Sequence, residues 1–131
     1  MNSRIVFFLL KLKNAAIYKK EVVTVNFQQD YIPILKVLYE EGYIQTFFVT
    51  KDNVTKKPSI KVYLRYLYNT FALSNLKLLS KQSCVRTITY RQISFNIYDI
   101  RKTFFITTNK GLKTQLGCKI NQLGGSLFFM C

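Results

Sequence analysis

An amphipathic helix lies between two β-rich segments in the first half of the sequence, and this order favours a helix packed on a sheet. Residues 21–26 and 43–50 are rich in β-branched and aromatic side chains and predict strands. Between them, apolar residues recur at helical spacing in residues 29–41, and Gly42 follows where a left-handed residue can end the helix. Such a helix buries its apolar face by packing on a sheet, so this half predicts a small α/β layer.

A further helix precedes this unit and a further strand follows it. Residues 4–12 are apolar almost throughout and predict a helix that Lys11, Lys13 and Asn14 close. Residues 59–67 alternate between apolar and polar side chains, which is typical of a strand with one buried face. The order helix–strand–helix–strand–strand is therefore assigned to an N-terminal α/β domain of residues 1–68.

The second half contains shorter segments of strand propensity and predicts a C-terminal, mainly β domain of residues 69–131 with a short helix. Together the two halves predict an α+β protein. Residues 92–100 are ambiguous between helix and strand. The predicted elements are strands at residues 71–79, 85–89, 103–107 and 126–131, and a helix that Thr114 caps and that ends near Gln122.

The charge balance indicates a polyanionic partner. The chain carries 20 Lys and Arg against 6 Asp and Glu, a net charge of +14. Repulsion of that size destabilises a compact protein unless an anion neutralises it. The cations are spread along the sequence and do not lie on one amphipathic helix, which favours a nucleic acid over a membrane surface.

The residue types present give no support to catalysis, metal binding or cofactor binding. Histidine is absent, which removes the commonest general base and metal ligand. Only Glu40 and Glu41 are adjacent carboxylates, and neighbouring helical residues point about 100° apart, so they do not converge as a catalytic pair. Cys84, Cys118 and Cys131 are odd in number and form no C-x-x-C pair, which indicates reduced thiols and no zinc site. We expect neither enzymatic activity nor a cofactor.

The segment from Thr107 to Gly111, T-T-N-K-G, combines two hydroxyls, an amide and a cation with a glycine. In an exposed turn these groups can bond to bases and 2′-hydroxyls of an irregular RNA helix, and the glycine lets a partner approach the backbone. The same residues suit an ordinary polar turn between a strand and a helix. Local chemistry alone favours the ordinary turn, both here and at Gly124–Gly125.

Lys11, Lys13 and Asn14 also allow two interpretations. Cations at the end of a helix stabilise its dipole. They equally suit contacts with RNA phosphates, which position a protein without reading sequence. Composition leaves both alternatives open.

Four segments, taken in order, resemble the family of universal small-subunit ribosomal protein eight. The C-terminal signature of that family is approximately S-T-S-K-G-[VL]-x-[ST], followed after a spacer by G-[LI]-G-G-E. The corresponding residues are T-T-N-K-G-L-K-T at 107–114 and, eight residues later, L-G-G-S at 123–126. The family's R-I-R-N, L-K-E-E-G-[FY]-I and S-[KR]-P-G are similar to residues 11–14, 38–44 and 80–83. The resemblance covers nearly the whole chain.

This resemblance implies a structural protein of the small ribosomal subunit that binds the central domain of its rRNA and supports assembly of that domain beside neighbouring ribosomal proteins. It also implies the two-part fold predicted above. In the family, the turn before the short helix is the main RNA-contacting loop, and residues of the first helix touch a second RNA segment. The RNA-binding residues carried over by position are Thr107, Thr108, Asn109, Lys110, Gly111, Ser80, Lys81, Gly124, Gly125, Ser126, Lys11, Lys13 and Asn14.

The sequence departs from the family pattern at four of these positions or their neighbours. Ser126 replaces the glutamate after Gly-Gly, so a carboxylate acceptor is lost there. Asn109 replaces the second serine of the loop, and Gln82 and Ser83 stand where the family has proline and glycine. These changes leave the expected fold intact and alter the expected RNA geometry.

The composition also bears on the compartment. The chain has 11 Phe and 9 Tyr with many Ile, Lys and Asn, and these residues have AT-rich codons, as in a compact organellar genome. The first twenty residues lack the Ser and Arg richness of a transit peptide. We therefore expect a mitochondrial ribosome, with a plastid ribosome as the alternative location. A free regulatory RNA-binding protein that uses the same C-terminal surface is the alternative function.

Overall fold

Contacts between residues divide the protein into two compact units. The first ends at Asn75 and the second begins at Leu76. The division falls after the boundary that the sequence predicts at residue 68, because residues 70 and 71 turn back to pair with residues 66 and 67. The computed structural model describes residues 3–81, 83–94 and 102–131.

The first unit begins with the order helix–strand–helix–strand–strand, as the sequence predicts, and a short hairpin and a 3₁₀ turn follow. Its elements are helices α1 (Ser3–Ile17) and α2 (Tyr31–Glu40), and strands β1 (Val22–Asn26), β2 (Ile44–Lys51), β3 (Pro58–Leu64), β4 (Tyr66–Leu67) and β5 (Thr70–Phe71). Strands β4 and β5 form a short hairpin, and a 3₁₀ turn at Ala72–Asn75 follows it.

β3 is the central strand of an antiparallel sheet with the order β1-β3-β2. Val62 of β3 is fully buried and pairs with Val23 of β1 and Phe47 of β2. Helix α2 packs on β2, so the helices supply the other half of the core. The fully buried helical residues are Leu9, Leu12, Leu35 and Leu38.

Helix α2 ends where the sequence predicts. Gly42 adopts the left-handed conformation with φ of +78°. Its N–H donates to the carbonyl of Tyr39 at 3.0 Å, and the N–H of Tyr43 donates to the carbonyl of Leu38 at 2.9 Å. These bonds satisfy the last carbonyls of the helix, which is the usual advantage of a glycine at this position.

Helix α1 is longer than the sequence predicts, and the expectation that residues 11–14 close it is wrong. Ala15 and Ala16 are buried and have the highest helix propensity, so they extend the helix. The chain leaves the helix at Lys19, which has a left-handed φ of 55°. The N–H of Lys20 then donates to the carbonyl of Ala15 at 2.9 Å, as in a glycine-terminated helix.

The second unit is mainly β, with two short helices. Its elements are strands β6 (Lys77–Leu78), β7 (Thr87–Ile88), β8 (Phe104–Thr108), β9 (Gly111–Thr114) and β10 (Gly125–Met130), and helices α3 (Tyr90–Ser94) and α4 (Gln115–Ile120). The sheet has the order β6-β10-β8-β9, and β7 also pairs with β10. β10 therefore joins three other strands.

One face of this sheet is covered by the two short helices. Ile106 of β8 and Leu127 of β10 form a buried cluster with Ile93 of α3 and Cys118 of α4. The side chains of Phe105 and Phe129 leave their strands on the opposite face and stack with ring centroids 4.4 Å apart. The α+β class predicted from the sequence is confirmed.

One predicted element of the second half differs from the structure, and the segment that the sequence left ambiguous is partly helical. Residues 71–79 do not form one strand, because the 3₁₀ turn separates β5 from β6. Ser74 and Asn75, whose side chains compete for backbone hydrogen bonds, favour that turn. In the ambiguous segment 92–100, α3 extends to Ser94, and the remaining residues lie outside the described ranges. None of the helices in the described ranges is long and apolar enough to cross a membrane.

Candidate nucleic-acid interface

The segment from Thr107 to Gly111 forms the end of the β8–β9 hairpin. Thr108 pairs with Gly111, so Asn109 and Lys110 are the two central residues of a tight turn. The prediction of a turn is correct, but the turn does not lead directly into a helix, because β9 intervenes. Hairpins with a two-residue turn favour residues that accept a positive φ, and Gly111, just after the turn, has φ of +96°.

The two threonines of the hairpin have different roles. Thr108 is buried, and its Oγ1 donates to the carbonyl of Gly111 at 2.8 Å and accepts from the N–H of Lys110 at 3.2 Å. Its hydroxyl therefore holds the turn together. Thr107, Asn109 and Lys110 are exposed, and the Lys110 ammonium has no partner among the described residues.

Three hydroxyl side chains from three strands lie side by side on one face of the sheet. Ser126 of β10 pairs with Thr107 of β8 on one side and with Thr87 of β7 on the other. Directly paired residues point to the same face, with Cβ atoms about 5 Å apart. Thr87 and Thr107 are exposed and Ser126 is partly exposed. We call Thr87, Ser126 and Thr107 the hydroxyl row.

Gly124 and Gly125 allow β10 to approach its neighbours closely. A Cβ on Gly125 would overlap the carbonyl group of Thr107, since even its carbon would be only 3.0 Å away. A Cβ on Gly124 would lie 2.9 Å from the carbonyl oxygen of Ile88. Both contacts are with backbone atoms that cannot rotate away. The Gly-Gly pair is therefore a requirement for the strand packing that forms the hydroxyl row.

Ser80 is buried inside the second unit. Its Oγ donates to the carbonyl of Leu127 and accepts from the N–H of Arg86 at 3.1 Å. Lys81 and Cys84 exchange backbone hydrogen bonds of 3.0 and 3.1 Å, which close the loop that Ser80 fastens to β10. Lys81 and Arg86 are exposed on that loop. Ser80 thus positions two cations and has no free hydroxyl of its own.

Replacing Ser80 by alanine is expected to lower the free energy of unfolding by about 1–3 kcal/mol, because it leaves a buried carbonyl and a backbone N–H without their partner. Urea denaturation followed by circular dichroism measures this change. Ser83→Ala, at an exposed position in the same loop, is the matched control and should leave stability unchanged. If both variants are equally stable, the hydrogen bonds of Ser80 do not stabilise the fold.

Helix α4 begins as the sequence predicts. The Oγ1 of Thr114 accepts a hydrogen bond from the N–H of Gly117 at 3.3 Å, which confirms this residue as the N-cap. Helix α4 covers the face of the sheet that carries Ile106, so it lies opposite the hydroxyl row. Lys119 is exposed in the last turn of α4. It is therefore a cation of the second unit that lies on the face opposite the hydroxyl row.

Lys11, Lys13 and Asn14 lie on α1, in the first unit, and the other predicted site residues lie in the second. The ammonium of Lys11 donates to the carbonyl of Thr24 in β1 at 2.8 Å. Asn14 is exposed and Lys13 is partly exposed. The structure thus brings together the β8–β9 turn, the Gly-Gly segment and the loop after Ser80, and it places the three α1 residues on a separate unit.

The three cysteines are free. Burial raises the pKa of the Cys131 thiol to about 12 and also raises the pKa of Cys118. These two thiols are therefore protonated at neutral pH. Across the described ranges, no group of three or more cysteine or acidic side chains is arranged to hold a metal ion.

Thr87 and Arg86 also belong to this surface, although they are not among the site residues predicted from the sequence. Thr87 is exposed and pairs with Ser126, and Arg86 accepts a backbone hydrogen bond of 2.8 Å from Leu127 through its carbonyl. The strand predicted at residues 85–89 signals that Thr87 could face solvent. Its pairing with β10, about forty residues later, cannot be predicted from the local sequence.

Comparison with known proteins gives one consistent result. The family model described as Ribosomal protein S8 matches residues 4–131. The small ribosomal subunit protein uS8 of Wolbachia pipientis wMel is 32% identical over 120 residues, which cover 92% of this chain and 89% of that protein. The small ribosomal subunit protein uS8c of Bigelowiella natans is 32% identical over 124 residues, with 92% of each chain covered. The uS8 protein of Baumannia cicadellinicola is 26% identical over 127 residues, covering 97% and 95%.

Proposed function

The chain belongs to the ribosomal protein S8 family, and from this premise we propose that it binds the central domain of small-subunit rRNA through the hydroxyl row and the β8–β9 turn. Family membership makes it a structural, non-enzymatic ribosomal protein. The observation that carries the proposal is the alignment of three hydroxyls beside an exposed turn. This turn bears an amide and an ammonium that has no partner in the described part of the chain.

The chemistry of this surface suits RNA. Hydroxyl groups donate and accept hydrogen bonds, so one row of them can bond to 2′-hydroxyls and to base edges in a shallow minor groove. The Lys110 ammonium adds a phosphate contact at the end of the row. The surface offers no aromatic stack among these residues, so the proposed recognition depends on groove shape and hydrogen bonds.

We assign different roles to the residues that the family resemblance implies as RNA-binding. Thr107, Asn109, Lys110 and Ser126 present exposed or partly exposed groups, and we assign the direct contacts to them. Other residues position those contacts. Some of them form hydrogen bonds inside the fold, and the glycines allow strands to approach closely. These positioning residues are Ser80, Thr108, Gly111, Gly124 and Gly125.

The remaining cations are assigned to phosphates. Lys81 is exposed on the loop that Ser80 fastens to the sheet. Lys11, Lys13 and Asn14 are assigned to a second RNA segment, with Lys11 exchanging its bond to the Thr24 carbonyl for a phosphate or sharing its three donors between them. This assignment uses cations of both units and agrees in sign with the net charge of +14.

Replacing Lys110 by alanine is expected to weaken binding to a central-domain rRNA fragment by about 1.5–3 kcal/mol, the range for a charged hydrogen bond. Filter binding or fluorescence anisotropy measures the dissociation constant. Lys119→Ala removes an equal charge from the opposite face and should change affinity less than about twofold. If both variants bind equally well, Lys110 is not at the RNA.

The alternative function is that of a free regulatory RNA-binding protein. Such a protein would use the same surface but would not be part of the ribosome. Sucrose-gradient sedimentation of the native protein separates the two. A ribosomal constituent sediments with the small subunit and with intact ribosomes. Protein found only at the top of the gradient would exclude the ribosomal assignment and favour the regulatory one.

We place this ribosome in the mitochondrion. The support is the AT-biased composition, with 11 Phe and 9 Tyr in 131 residues, which is typical of organellar genomes. The subunit that contains this protein should therefore copurify with mitochondrial membranes and rRNA. Recovery of the protein in the plastid or cytosolic ribosome fraction would contradict the mitochondrial location and leave the RNA-binding proposal unaffected.

A further inference from the structure

A groove of about 830 Å³ lies in the first unit, where β1 and β2 begin and where β3 and α2 end. Its walls combine carboxylates with tyrosines, although the chain as a whole carries a net charge of +14. We call it the carboxylate groove. The residues that define it are Glu21, Glu40, Tyr39, Tyr63, Arg65 and Tyr66.

The two carboxylates of the groove have no ion-pair partner among the described residues. Arg65 is the cation that lines the groove, and its Nη1 donates to the carbonyl of Gly42 at 3.4 Å. Glu21 uses its backbone carbonyl to accept from the N–H of Leu64 at 2.9 Å, which leaves its side chain free. The groove therefore carries more negative than positive charge on a protein of the opposite sign.

The end of α2 adds to this negative potential. Helix C-termini carry partial negative charge and favour cations nearby. The last turn of α2 has no basic residue, and the helix ends with Glu40 followed by Glu41. Each of these carboxylates is on the unfavourable side of the helix dipole. A cation from another molecule would relieve this arrangement, whereas a phosphate would be repelled by it.

The aromatic walls suit a planar cation. Tyr39 and Tyr66 are each about half exposed, at 54% and 48%. The Tyr66 ring is held by an edge contact with Phe71, with centroids 5.0 Å apart, and its hydroxyl donates to the Oδ1 of Asn69 at 3.0 Å. A fixed, exposed ring beside carboxylates offers a stacking surface and bidentate acceptors, and guanidinium groups prefer that combination.

We propose that the carboxylate groove binds arginine side chains from an extended, basic segment of another protein. Charge complementarity selects the partner, because two carboxylates and one cation line the groove, its walls are aromatic, and the described residues supply no ion-pair partner to its carboxylates. This interaction lies apart from the hydroxyl row and does not require the rRNA-binding proposal. It gives the chain a protein-docking surface on the first unit.

The test is a titration of the ¹⁵N-labelled full-length protein with a capped peptide that carries two arginines in a Gly-Ser background, followed by NMR. The matched peptide has citrulline in place of arginine and removes only the charge. We expect the arginine peptide to shift the amides of Glu21, Gly42 and Tyr66. The double variant Glu21→Gln with Glu40→Gln should bind it about tenfold more weakly.

Asp52→Asn is the matched control, because Asp52 is an exposed carboxylate of the same unit that does not line the groove. It should bind the arginine peptide as the unaltered protein does. Equal binding of the citrulline peptide, or unchanged affinity of the double variant, would overturn the proposal. Equally tight binding of spermidine would overturn it in favour of a polyamine site, and shifts of these amides by RNA would overturn it in favour of a second RNA surface.

Discussion

Replacing Gly125 by alanine is expected to lower the free energy of unfolding by about 3 kcal/mol, the upper part of the range for inserting atoms into a packed region. The new Cβ would overlap the carbonyl group of Thr107, so β8 and β10 would have to separate. Since that separation also moves Ser126 away from Thr107, rRNA affinity should fall with stability. Urea denaturation at 25 °C measures the first effect, and anisotropy with an rRNA fragment measures the second.

Gly117→Ala is the matched control for this substitution. Its Cβ would lie 3.5 Å from the Oγ1 of Thr114, an ordinary contact. Because Gly117 lies in α4, alanine there should raise helix propensity and stabilise the protein by up to about 1 kcal/mol. The two substitutions add the same methyl group and should have opposite signs. Two similar changes in stability would show that the close approach of β10 to β8 does not matter.

The affinity for rRNA is expected to depend steeply on salt. If the chain neutralises 6–10 phosphates, affinity should fall by about 10³–10⁵ between roughly 50 and 200 mM monovalent salt, because each contact releases condensed counterions. Titrations at four or more salt concentrations give the slope. The variant that lacks both Lys81 and Lys110 should reduce the slope by about 1.5, the contribution of two phosphate contacts. A flat response would contradict phosphate binding by these cations.

The sequence predicts those elements that have a clear hydrophobic period and a recognisable residue at their end. Helix α2 and the strands around it follow from local patterns, and Gly42 ends the helix as expected. The end of α1 could not be predicted in this way, because Lys19 adopts the left-handed conformation that usually requires glycine. The polar residues before it suggested an earlier end, but Ala15 and Ala16 are buried and prolong the helix.

The candidate site was predicted as a set of residues, but the role of each member depends on contacts between distant parts of the chain. The hydroxyl of Ser80 is engaged by Leu127 and Arg86, and only the folded structure shows this. Thr87 was not selected, because its relation to Ser126 is a strand pairing. Resemblance to a family identifies positions, and the register of the sheet shows which of them present free groups.

The hydroxyl row also has a consequence for the order of events during synthesis. Its three residues come from β7, β8 and β10, and β10 is the strand that pairs with both of the others. β10 is also the last of these strands to be synthesised. A nascent chain that lacks it has the residues of the β8–β9 turn but no neighbouring hydroxyls beside them. On the proposed function, recognition of RNA by this surface begins only when the second unit has folded around β10, and we expect that incomplete chains do not compete for the proposed rRNA site.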